Sequence, residues 1–521
     1  MAPTARLRSI PLGERALRFE LAGAPAVLAR AACALAQDPQ IDAVAGSTSI
    51  LVVAAAPIDP LRRAALTTAV ASALADASRV GAGSGAGERR HTIDVVYDGA
   101  DLVEIAAATS MSPSDVAARH AEPEYVVQLG GFFPGFAYLG EVAPPIRHPR
   151  RAQPRHRVDA GAVGIAGRQT GIYPSVSPGG WNLVGRAILP APLFDPNAEP
   201  PARFAVGDRV RFVAVSAADS PPRTVALDTA RAMLAGEHDR AGPNGSAALT
   251  VDRVAAVATV QDAGRARWLR AGVPASGAMD PVALASANLA VGNDPSAAGI
   301  EIAVGTARFV ARRDVLISID GEAPRRLLAG DTLEVAAAQR LSSYLAIRGG
   351  VAVPAVLGSR STALAAALGG LHGRALRRGD SIAIEDDPGT KLPDRRRLVV
   401  PSSAAETVLR IDVIPPCGAL SAASVDALLS SRFTVSTRLD RVGIRLEGAT
   451  VPRTEVRDAL PEPVVPGVVQ IASDGTPMVL GPDAAVTGGY PVIGVLRKTS
   501  LWALYRLRPG AFVRFVRGVS G

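Results

Sequence analysis

Residues 207–212, GDRVRF, begin with a glycine turn and continue as a short run in which apolar and polar side chains alternate. Alternation with a period of two is typical of a β-strand with one buried face. The pattern recurs as GDSIAI at 379–384 and GAFVRF at 510–515, at the ends of segments of roughly one domain length. Another copy, GDTLEV at 330–335, lies inside a segment. The sequence therefore favours several β-barrel or β-sandwich modules, although it does not prove tandem repeats.

The amino-terminal part of the chain has a different pattern. Strand-like runs at 16–21 and 47–54 alternate with helix-like stretches at 25–36 and 60–77. This alternation predicts a small α/β domain. The glycine-rich stretch at 81–87, GAGSGAG, follows it and is typical of a flexible linker.

Helix start signals occur at three later positions. Ser112 and Asp280 each precede a proline, and Ser421 precedes an apolar run. Short polar side chains accept hydrogen bonds from the first free N–H groups of a helix, and proline fits its first position. We expect helices to begin at these three residues, within an otherwise strand-rich chain.

The basic residues exclude several kinds of protein. The net charge is +8, but the basic residues are scattered, and only Lys391 and Lys498 among the 56 are lysines. Scattered charge of this kind argues against nucleic-acid binding. Lys498-Thr499 has no glycine-rich approach, so a P-loop is not supported. Neither lysine follows a methionine as in a biotin carrier, so we expect no biotin on this chain.

The apolar and cysteine content indicates a cytoplasmic protein. The amino terminus runs into charged residues without the apolar stretch of a secretory signal, and no charge-free run approaches a membrane span. Cys33 and Cys417 are far apart and have no CxxC or Cys/His neighbour, so neither a disulfide framework nor a zinc site is expected. We expect both to be buried as small hydrophobic residues.

Two sets of motifs carry a resemblance to known families. Residues 91–212 contain the motifs GFFPGFAYL (131–139), PRR (149–151), PRHRV (154–158), GIYP (171–174) and SPGGW (177–181). The chain from 259 onward contains VQDAGR (260–265), SGAMD (276–280), AN (287–288), GSRST (358–362), DRVG (440–443) and TGGYP (487–491). With the first set, residues 91–212 resemble the first of the two allophanate hydrolase subunit families, which includes the sporulation kinase inhibitor and the B component of 5-oxoprolinase. With the second set, the chain from 259 onward resembles the second of those families, which includes the C component of 5-oxoprolinase.

The resemblance implies a mainly β protein with α+β portions, built from cyclophilin-like β-barrel modules behind a small α/β amino-terminal domain. We expect the following domains: a small α/β domain at 1–85, a B-type cyclophilin-like domain at 86–216, a linker at 217–247, and two β-rich parts of a C-type module at 248–390 and 391–521.

The resemblance also implies a function. Fused B and C components would act with a separate A component to open 5-oxo-L-proline to L-glutamate, using ATP with magnesium bound on this chain or elsewhere in the complex. Two alternatives stay open. The first is a regulatory protein that inhibits a histidine kinase, and the second is a carboxyltransferase component that acts on a urea or amide with biotin supplied by another chain. The oligomeric state is also open, and a homo-oligomer is compatible with the sequence.

Lactam opening sets chemical requirements for the site. A lactam is a resonance-stabilised amide, and phosphorylation of its oxygen makes the ring easier to open. Arginine forks suit both a substrate carboxylate and phosphate oxygens. In so arginine-rich a chain, the arginines within these motifs are equally open to structural roles. Glu301 lies in the apolar run 300–304, where an unpaired carboxylate would be costly, so we expect it to meet an arginine or a ligand.

Each remaining candidate has a functional and a structural interpretation. Asp280 could bind magnesium or cap its helix, and His120 could transfer protons or end a helix. Trp181 and the tyrosines could contact substrate or fill the core. We therefore expect catalytic roles for Asp262, Glu301, Asp440 and His120, no metal-ligand residues, and substrate binding by Arg155, Arg157, Tyr173, Gly179, Gly180, Trp181, Gln261, Arg265, Asp280, Asn288, Ser359, Arg360, Arg441 and Tyr490.

Overall fold

The structure is a computed structural model that describes residues 7–21, 25–79, 89–151, 153–216, 247–337, 340–392, 406–415, 418–454 and 461–518. The described residues form an amino-terminal module, a first barrel, a central module and a second barrel, in that order along the chain. The predicted mainly β architecture with barrel modules is confirmed. The predicted linkers at 81–87 and 217–247 lie almost wholly outside the described residues, and the domain boundaries remain predictions.

The amino-terminal module is an antiparallel sheet in the order β1-β2-β4-β3, with two helices packed against it. Asp59 accepts a hydrogen bond of 2.7 Å from the backbone N–H of Arg62 and so stabilises the start of the second helix. The elements are β1 (Arg8–Pro11), β2 (Ala16–Glu20), α1 (Pro25–Leu35), β3 (Ile41–Ala45), β4 (Ser49–Ala54) and α2 (Pro60–Arg79).

The first barrel is closed in the order β10-β7-β6-β13-β5-β12-β9, and a two-stranded ribbon, β8–β11, lies beside it. Ser112 caps α4 in a reciprocal capping box, as the sequence predicts. The elements are β5 (Arg90–Val96), α3 (Leu102–Thr109), α4 (Pro113–Ala121), β6 (Glu124–Gly130), β7 (Ala137–Leu139), a 3-10 turn (Pro144–Ile146), β8 (Arg155–Val158), β9 (Ala162–Ala166), β10 (Gln169–Ile172), β11 (Ser177–Gly179), β12 (Asn182–Ile188) and β13 (Arg209–Ala214).

The central module is a seven-stranded sheet in the order β17-β16-β19-β15-β14-β20, with β18 paired to β15. Asp280 caps α5 by accepting a hydrogen bond from the Ala283 N–H. The elements are β14 (Ala247–Gln261), a 3-10 turn (Leu269–Ala271), α5 (Pro281–Ala290), β15 (Gly299–Ala311), β16 (Val315–Ile319), β17 (Arg325–Leu327), β18 (Thr332–Ala336), β19 (Ser342–Ile347), a 3-10 turn (Leu364–Ala366) and β20 (Ser381–Ala383).

The second barrel is closed in the order β21-β28-β25-β26-β23-β22-β29 and has its own ribbon, β24–β27. Ser421 caps α6 in a capping box, as predicted. The elements are β21 (Thr407–Val413), α6 (Ala422–Ser430), β22 (Arg432–Leu439), β23 (Gly443–Gly448), β24 (Glu462–Pro463), β25 (Val468–Ile471), β26 (Pro477–Leu480), β27 (Thr487–Gly488), β28 (Val492–Leu496), α7 (Lys498–Tyr505) and β29 (Phe512–Arg517).

The two barrels share one topology. In each, the last strand pairs in parallel with the first, as β13 does with β5 and β29 with β21. The GDRVRF and GAFVRF stretches supply these closing strands, which explains why the pattern ends both segments. The ribbons also correspond, because β11 and β27 are each the seventh strand along the chain when counting starts at the first strand of the barrel, β5 or β21. Two copies of the pattern therefore form strands that close a barrel, whereas GDTLEV and GDSIAI form β18 and β20 of the central sheet.

Contacts between modules are both apolar and polar. Glu462 of the second barrel accepts hydrogen bonds of 2.9 Å from the backbone N–H and the hydroxyl of Thr48. Ile10 and Leu51 of the amino-terminal sheet pack with Ile414 of the second barrel. The amino-terminal module is thus docked on the far end of the chain.

Two further expectations concern individual properties. Cys33 is exposed, so the expectation of a buried residue is wrong for it, and it is not part of the apolar cluster that α1 forms with the sheet. Cys417 lies outside the described residues. Within the part of the chain that the structure describes, no helix is long and apolar enough to span a membrane.

Candidate functional site between the two halves of the chain

A buried ion-pair network joins the central module to the second barrel. Arg441, 5% exposed, donates a hydrogen bond of 2.6 Å from Nη1 to Glu301 Oε1 of β15. Its Nε and Nη2 donate to the two oxygens of Asp483 at 2.8 and 3.0 Å. Burial lowers the pKa of Arg441, but the two carboxylates outweigh burial and the net shift is upward. Glu301 meets the arginine that its apolar surroundings require.

Backbone and tyrosine groups complete the surroundings of Glu301. Glu301 Oε2 accepts hydrogen bonds from the Met279 N–H at 2.9 Å and from the Tyr344 hydroxyl at 2.8 Å. The Tyr344 hydroxyl in turn accepts from the Asp280 N–H at 2.7 Å. Burial and the neighbouring Glu301 raise the pKa of Tyr344 well above its usual value, so it remains a hydrogen-bond donor. Asp280 itself pairs with Arg506 through both oxygens.

Asp262 accepts several hydrogen bonds from the 358–362 motif. Its Oδ1 accepts from the hydroxyls of Ser359 at 2.7 Å and Ser361 at 2.5 Å, and its Oδ2 accepts from the Arg360 N–H at 2.6 Å. The Gly264 N–H adds a bond of 2.8 Å to Oδ1. This carboxylate fixes the shape of two loops, which makes it a positioning group.

Arg265 is a buried cation in a different situation. It is 3% exposed and donates to the carbonyl oxygens of Ser361, at 2.5 Å, and Val356, at 3.4 Å. Among the described residues its Nη1 is buried without a hydrogen-bond partner. Burial lowers its pKa, which Asp262 and Asp483 partly oppose. A buried guanidinium with a free donor is suited to bind an anion.

Ser276 lies beside Arg265 in an unusual conformation. Its φ is +53°, a left-handed value that is uncommon for residues other than glycine. Its backbone N–H donates to Pro482 O at 3.0 Å, and its buried hydroxyl has no partner within the described residues. Strained backbone of this kind concentrates at functional sites. Arg265 and Ser276 therefore each carry a buried polar atom without a partner among the described residues.

The first barrel contributes a second group of charged residues. Asp101 Oδ1 accepts from Arg151 Nη1 at 2.7 Å and from Arg155 Nη2 at 2.6 Å, and Oδ2 accepts from the Leu183 N–H at 2.7 Å. Burial raises the pKa of Asp101, but the hydrogen bonds and charges of Arg155 and Arg151 outweigh it and lower the pKa.

An aromatic cluster packs beside the β8–β11 ribbon, which carries Arg155. The ring of Phe136 contacts those of Tyr173, at 5.7 Å, and Trp181, at 5.5 Å, edge to face. A side chain at Gly179 would place its Cβ 2.3 Å from the Tyr173 hydroxyl, so only glycine fits there. Burial raises the pKa of Tyr173 to about 12, against the opposing hydrogen bond of the Trp181 N–H. Tyr173 and Trp181 thus belong to the packed core of the ribbon, and Gly180 continues its turn.

The motif loops of the two halves meet. Gly131 of the GFFPGFAYL motif lies so close to Thr487 of the TGGYP motif that a Cβ on it would be 2.5 Å from the threonine hydroxyl. Gly135 donates its N–H to Ala271 O at 3.1 Å. Phe133 and Gly272 are in backbone contact. The motifs of the first barrel therefore face the loop that carries Arg265 and Ser276.

Several predicted site residues lie apart from these groups. His120 is fully buried in the core of the first barrel. Asp440 is exposed and accepts hydrogen bonds from the N–H groups of Val442 and Gly443, so it stabilises its own turn. Arg157 is 68% exposed and pairs with Asp159.

The remaining predicted residues have the following positions. Arg360 directs its side chain to Glu385 and to Val353 O, and only its N–H reaches Asp262. Asn288 is buried and donates to Ala297 O at 2.7 Å at the end of α5. Gln261 Oε1 accepts from Arg441 at 3.3 Å. Tyr490 is 40% exposed at the end of the TGGYP motif.

The sequence interpretation missed Asp483, Tyr344, Asp101, Arg151 and Ser177. The positions of the first four depend on contacts across at least 40 residues of chain, such as the 2.8 Å bond from Arg441 to Asp483. The PRR and SPGGW motifs contain Arg151 and Ser177, so a signal existed for those two. Within the described residues, no group of three or more His, Cys, Asp or Glu side chains is arranged to hold a metal ion.

Comparison with known families assigns the chain. The carboxyltransferase domain family matches through its subdomains C and D at residues 7–204 and through its subdomains A and B at residues 271–517. The chain belongs to this carboxyltransferase-domain family, which includes the B and C components of 5-oxoprolinase, and it carries the B-type and C-type parts fused in one polypeptide.

Individual relatives cover the two halves separately. The carboxyl-terminal half is 34% identical over 289 residues to the C component of 5-oxoprolinase from Escherichia coli, covering 52% of this chain and 91% of that relative. The amino-terminal half is 46% identical over 121 residues to the B component of 5-oxoprolinase from Bacillus subtilis, covering 23% of this chain and about half of that relative. Urea amidolyase of Lachancea kluyveri is 29% identical over 52% of this chain and 17% of its own length.

A solved structure matches the whole arrangement. The crystal structure of TTHA0988 superposes with a TM-score of 0.78 at 31% identity and covers 96% of this chain and 99% of that chain. The order and packing of the modules are therefore those of a known natural protein.

Proposed function

We propose that this chain is the fused B and C component of an ATP-dependent 5-oxoprolinase, which opens 5-oxo-L-proline to L-glutamate together with a separate A component. One observation carries the proposal: a B-type half and a C-type half, matched by two separate polypeptides of that enzyme, pack so that their motif loops touch at Gly131 and Thr487. Such an interface suits two components that act as one unit.

The site chemistry is compatible with this role. Lactam opening needs the substrate anion held in place while its amide oxygen is activated. Arg265 has a buried donor without a partner in the described part of the chain, and the strained Ser276 lies beside it. By contrast, Glu301 and Asp483 are engaged by Arg441. We propose that this chain binds and orients anions, and that ATP with magnesium is bound here or on the A component. Dependence on ATP fits a cytoplasmic location.

Reconstitution tests the proposal. The purified chain, the A component of the same organism and MgATP are mixed with 5-oxo-L-proline, and glutamate is measured with each ingredient omitted in turn. We expect glutamate only when both proteins and ATP are present. If no glutamate is formed when both proteins are present and each is shown to be folded, the proposal is rejected.

A carboxyltransferase role is the second candidate, because the matching family is described as a carboxyltransferase domain. In that case the chain would transfer a carboxyl group to a urea or amide from biotin on another chain. Carboxylation of urea by this chain with a biotinylated carrier, together with no glutamate from 5-oxoproline, would favour this candidate.

A further inference from the structure

At the ribbon β8–β11 of the first barrel, several buried hydrogen-bond donors have no partner among the described residues. Arg151 and Arg155 each donate one hydrogen bond to the same oxygen, Asp101 Oδ1. Arg151 Nε, Arg155 Nη1 and the hydroxyl of Ser177 are buried and lack a partner among the residues that the structure describes. Buried polar groups normally have a partner, so unpartnered donors in one place call for an acceptor that binds there.

Strand register places these donors on one side of the ribbon. Arg155 of β8 is opposite Gly179 of β11, and Ser177 is opposite Val158, with a register shift between the two pairs. Ser177 and Gly179 are both buried and Pro178 between them is exposed, so Ser177 and Gly179 lie on the same face of β11. Ser177 is 4% exposed, so its hydroxyl points into the protein and not into solvent. The Arg151 N–H donates to Gly180 O at 2.9 Å, which holds the second guanidinium at the same ribbon.

The charges at this position leave one positive charge in excess. Two guanidinium groups face a single buried carboxylate, Asp101, which is 2% exposed. Glu104 is 3.7 Å from Arg151 but 63% exposed, and the exposed Arg150 lies 6.0 Å over the Trp181 ring, so solvent screens most of the effect of both charges. One further monoanion would balance the site, whereas a triphosphate would carry too much negative charge for it.

We propose that Arg151, Arg155 and Ser177 form a subsite that binds one carboxylate of a small organic acid, with Asp101 as the positioning residue that orients both guanidinium groups. The identity of the acid as 5-oxo-L-proline rests on the proposed function. Tyr173 and Trp181 belong to the aromatic cluster beside this ribbon, and the Tyr173 hydroxyl lies on the same face as the donors, because a Cβ at Gly179 would be 2.3 Å from it.

Equilibrium binding to the full chain tests the subsite by titration calorimetry. The probes are 5-oxo-L-proline, its carboxamide, inorganic phosphate and MgATP. We expect the acid to bind at least tenfold more tightly than its carboxamide, because the amide lacks the charge. Arg155→Met should weaken binding of the acid more than tenfold, and Ser177→Ala should weaken it about fivefold. Neither substitution should change the affinity for MgATP.

Controls separate binding from folding. Ser177→Ala removes no hydrogen bond to any described residue, so its melting temperature should equal or exceed that of the wild type. Arg90→Met, an exposed arginine on β5 of the same barrel, is the matched control and should leave all affinities within twofold. The proposal is overturned if the acid does not bind, if the carboxamide binds equally well, or if phosphate or MgATP is the probe that depends on Arg155.

The binding and turnover results fail independently. A chain that binds the acid through Arg155 and Ser177 but makes no glutamate with its A component keeps the subsite and rejects the oxoprolinase function. Glutamate formation with an unchanged KM for 5-oxo-L-proline in both variants keeps the function and rejects the subsite.

Discussion

Arg441 of the second barrel and Glu301 of the central sheet form a buried ion pair of 2.6 Å, although 140 residues separate them in sequence. Asp483 shares the same guanidinium. The pair fastens the two parts of the C-type half to each other. The shape of the neighbouring loops around Arg265 and Ser276 therefore depends on it.

Replacing Arg441 should strongly destabilise this connection. Arg441→Met leaves Glu301 and Asp483 as buried carboxylates without their cation, which costs about 3–5 kcal/mol. We expect a large fall in the denaturation midpoint of the transition that includes the second barrel, followed by fluorescence in urea. Arg438→Met, at a 63% exposed side chain 3.6 Å from Glu447, should change the midpoint little. Equal effects of the two substitutions would contradict the account.

Arg265 should affect activity more than stability. Its guanidinium is buried without an ion pair to a described carboxylate, so Arg265→Met removes both a desolvated charge and two bonds to carbonyl oxygens. We expect a stability change clearly smaller than that of Arg441→Met and a loss of glutamate formation of about a hundredfold, in line with a lost charged hydrogen bond of about 3 kcal/mol. Unchanged activity of a folded Arg265→Met protein would exclude an anion-binding role.

The contact between Gly131 and Thr487 should be needed for the two halves to fit. Gly131→Ala combines a φ of +139° with a Cβ placed 2.5 Å from the threonine hydroxyl. Gly207→Ala is the matched control, because its φ is +96° but no described atom lies within 4 Å of the new Cβ. We expect Gly131→Ala to lower both the melting temperature and the rate of glutamate formation well below those of the control. Identical behaviour would show that the interface tolerates separation of the motif loops.

His120 should make stability depend on pH. It is fully buried, with Nδ1 2.8 Å from the Tyr97 hydroxyl and Nε2 2.8 Å from Thr170 Oγ1. Thr170 donates its own hydrogen to Gly164 O, so Nε2 carries the ring proton and Nδ1 accepts from Tyr97. Burial lowers the pKa of His120 to about 3.

The sign of the effect follows from this shift. Between pH 6.5 and about 3 the unfolded chain binds a proton at His120 that the folded chain excludes. The neutral histidine therefore contributes stability that is fully present above pH 6.5 and is lost as the pH falls, by up to about 1.4 kcal/mol per pH unit. His120→Gln should remove about one proton from the pH dependence of the urea midpoint, whereas exposed His156→Gln should not. A slope unaffected by His120→Gln would contradict a neutral, buried ring.

Local patterns in the sequence predicted much of the fold for physical reasons. Alternating apolar residues identified the closing strands, and Ser112, Asp280 and Ser421 identified helix starts, because both signals act within a few residues. The apolar run around Glu301 also predicted a buried partner, which is Arg441. These inferences needed only burial and hydrogen-bond requirements.

Long-range contacts explain what the sequence could not show. Asp483 and Tyr344 reach the network from other strands, and no local pattern distinguishes them from neighbouring residues. Asp440 stands next to Arg441 in the same motif, yet a turn directs it to solvent. In an arginine-rich chain, only the folded arrangement separates the buried Arg265 from the exposed Arg157.

The most direct test of the fused B–C role is a time course of ADP and glutamate formed from 5-oxo-L-proline and MgATP by this chain with its A component. The account predicts that both products appear in equal amounts, because one phosphorylation activates one lactam, and that omitting either protein stops both. Glutamate formed at the same rate without this chain, or ADP released with no glutamate when both proteins are present, would contradict it.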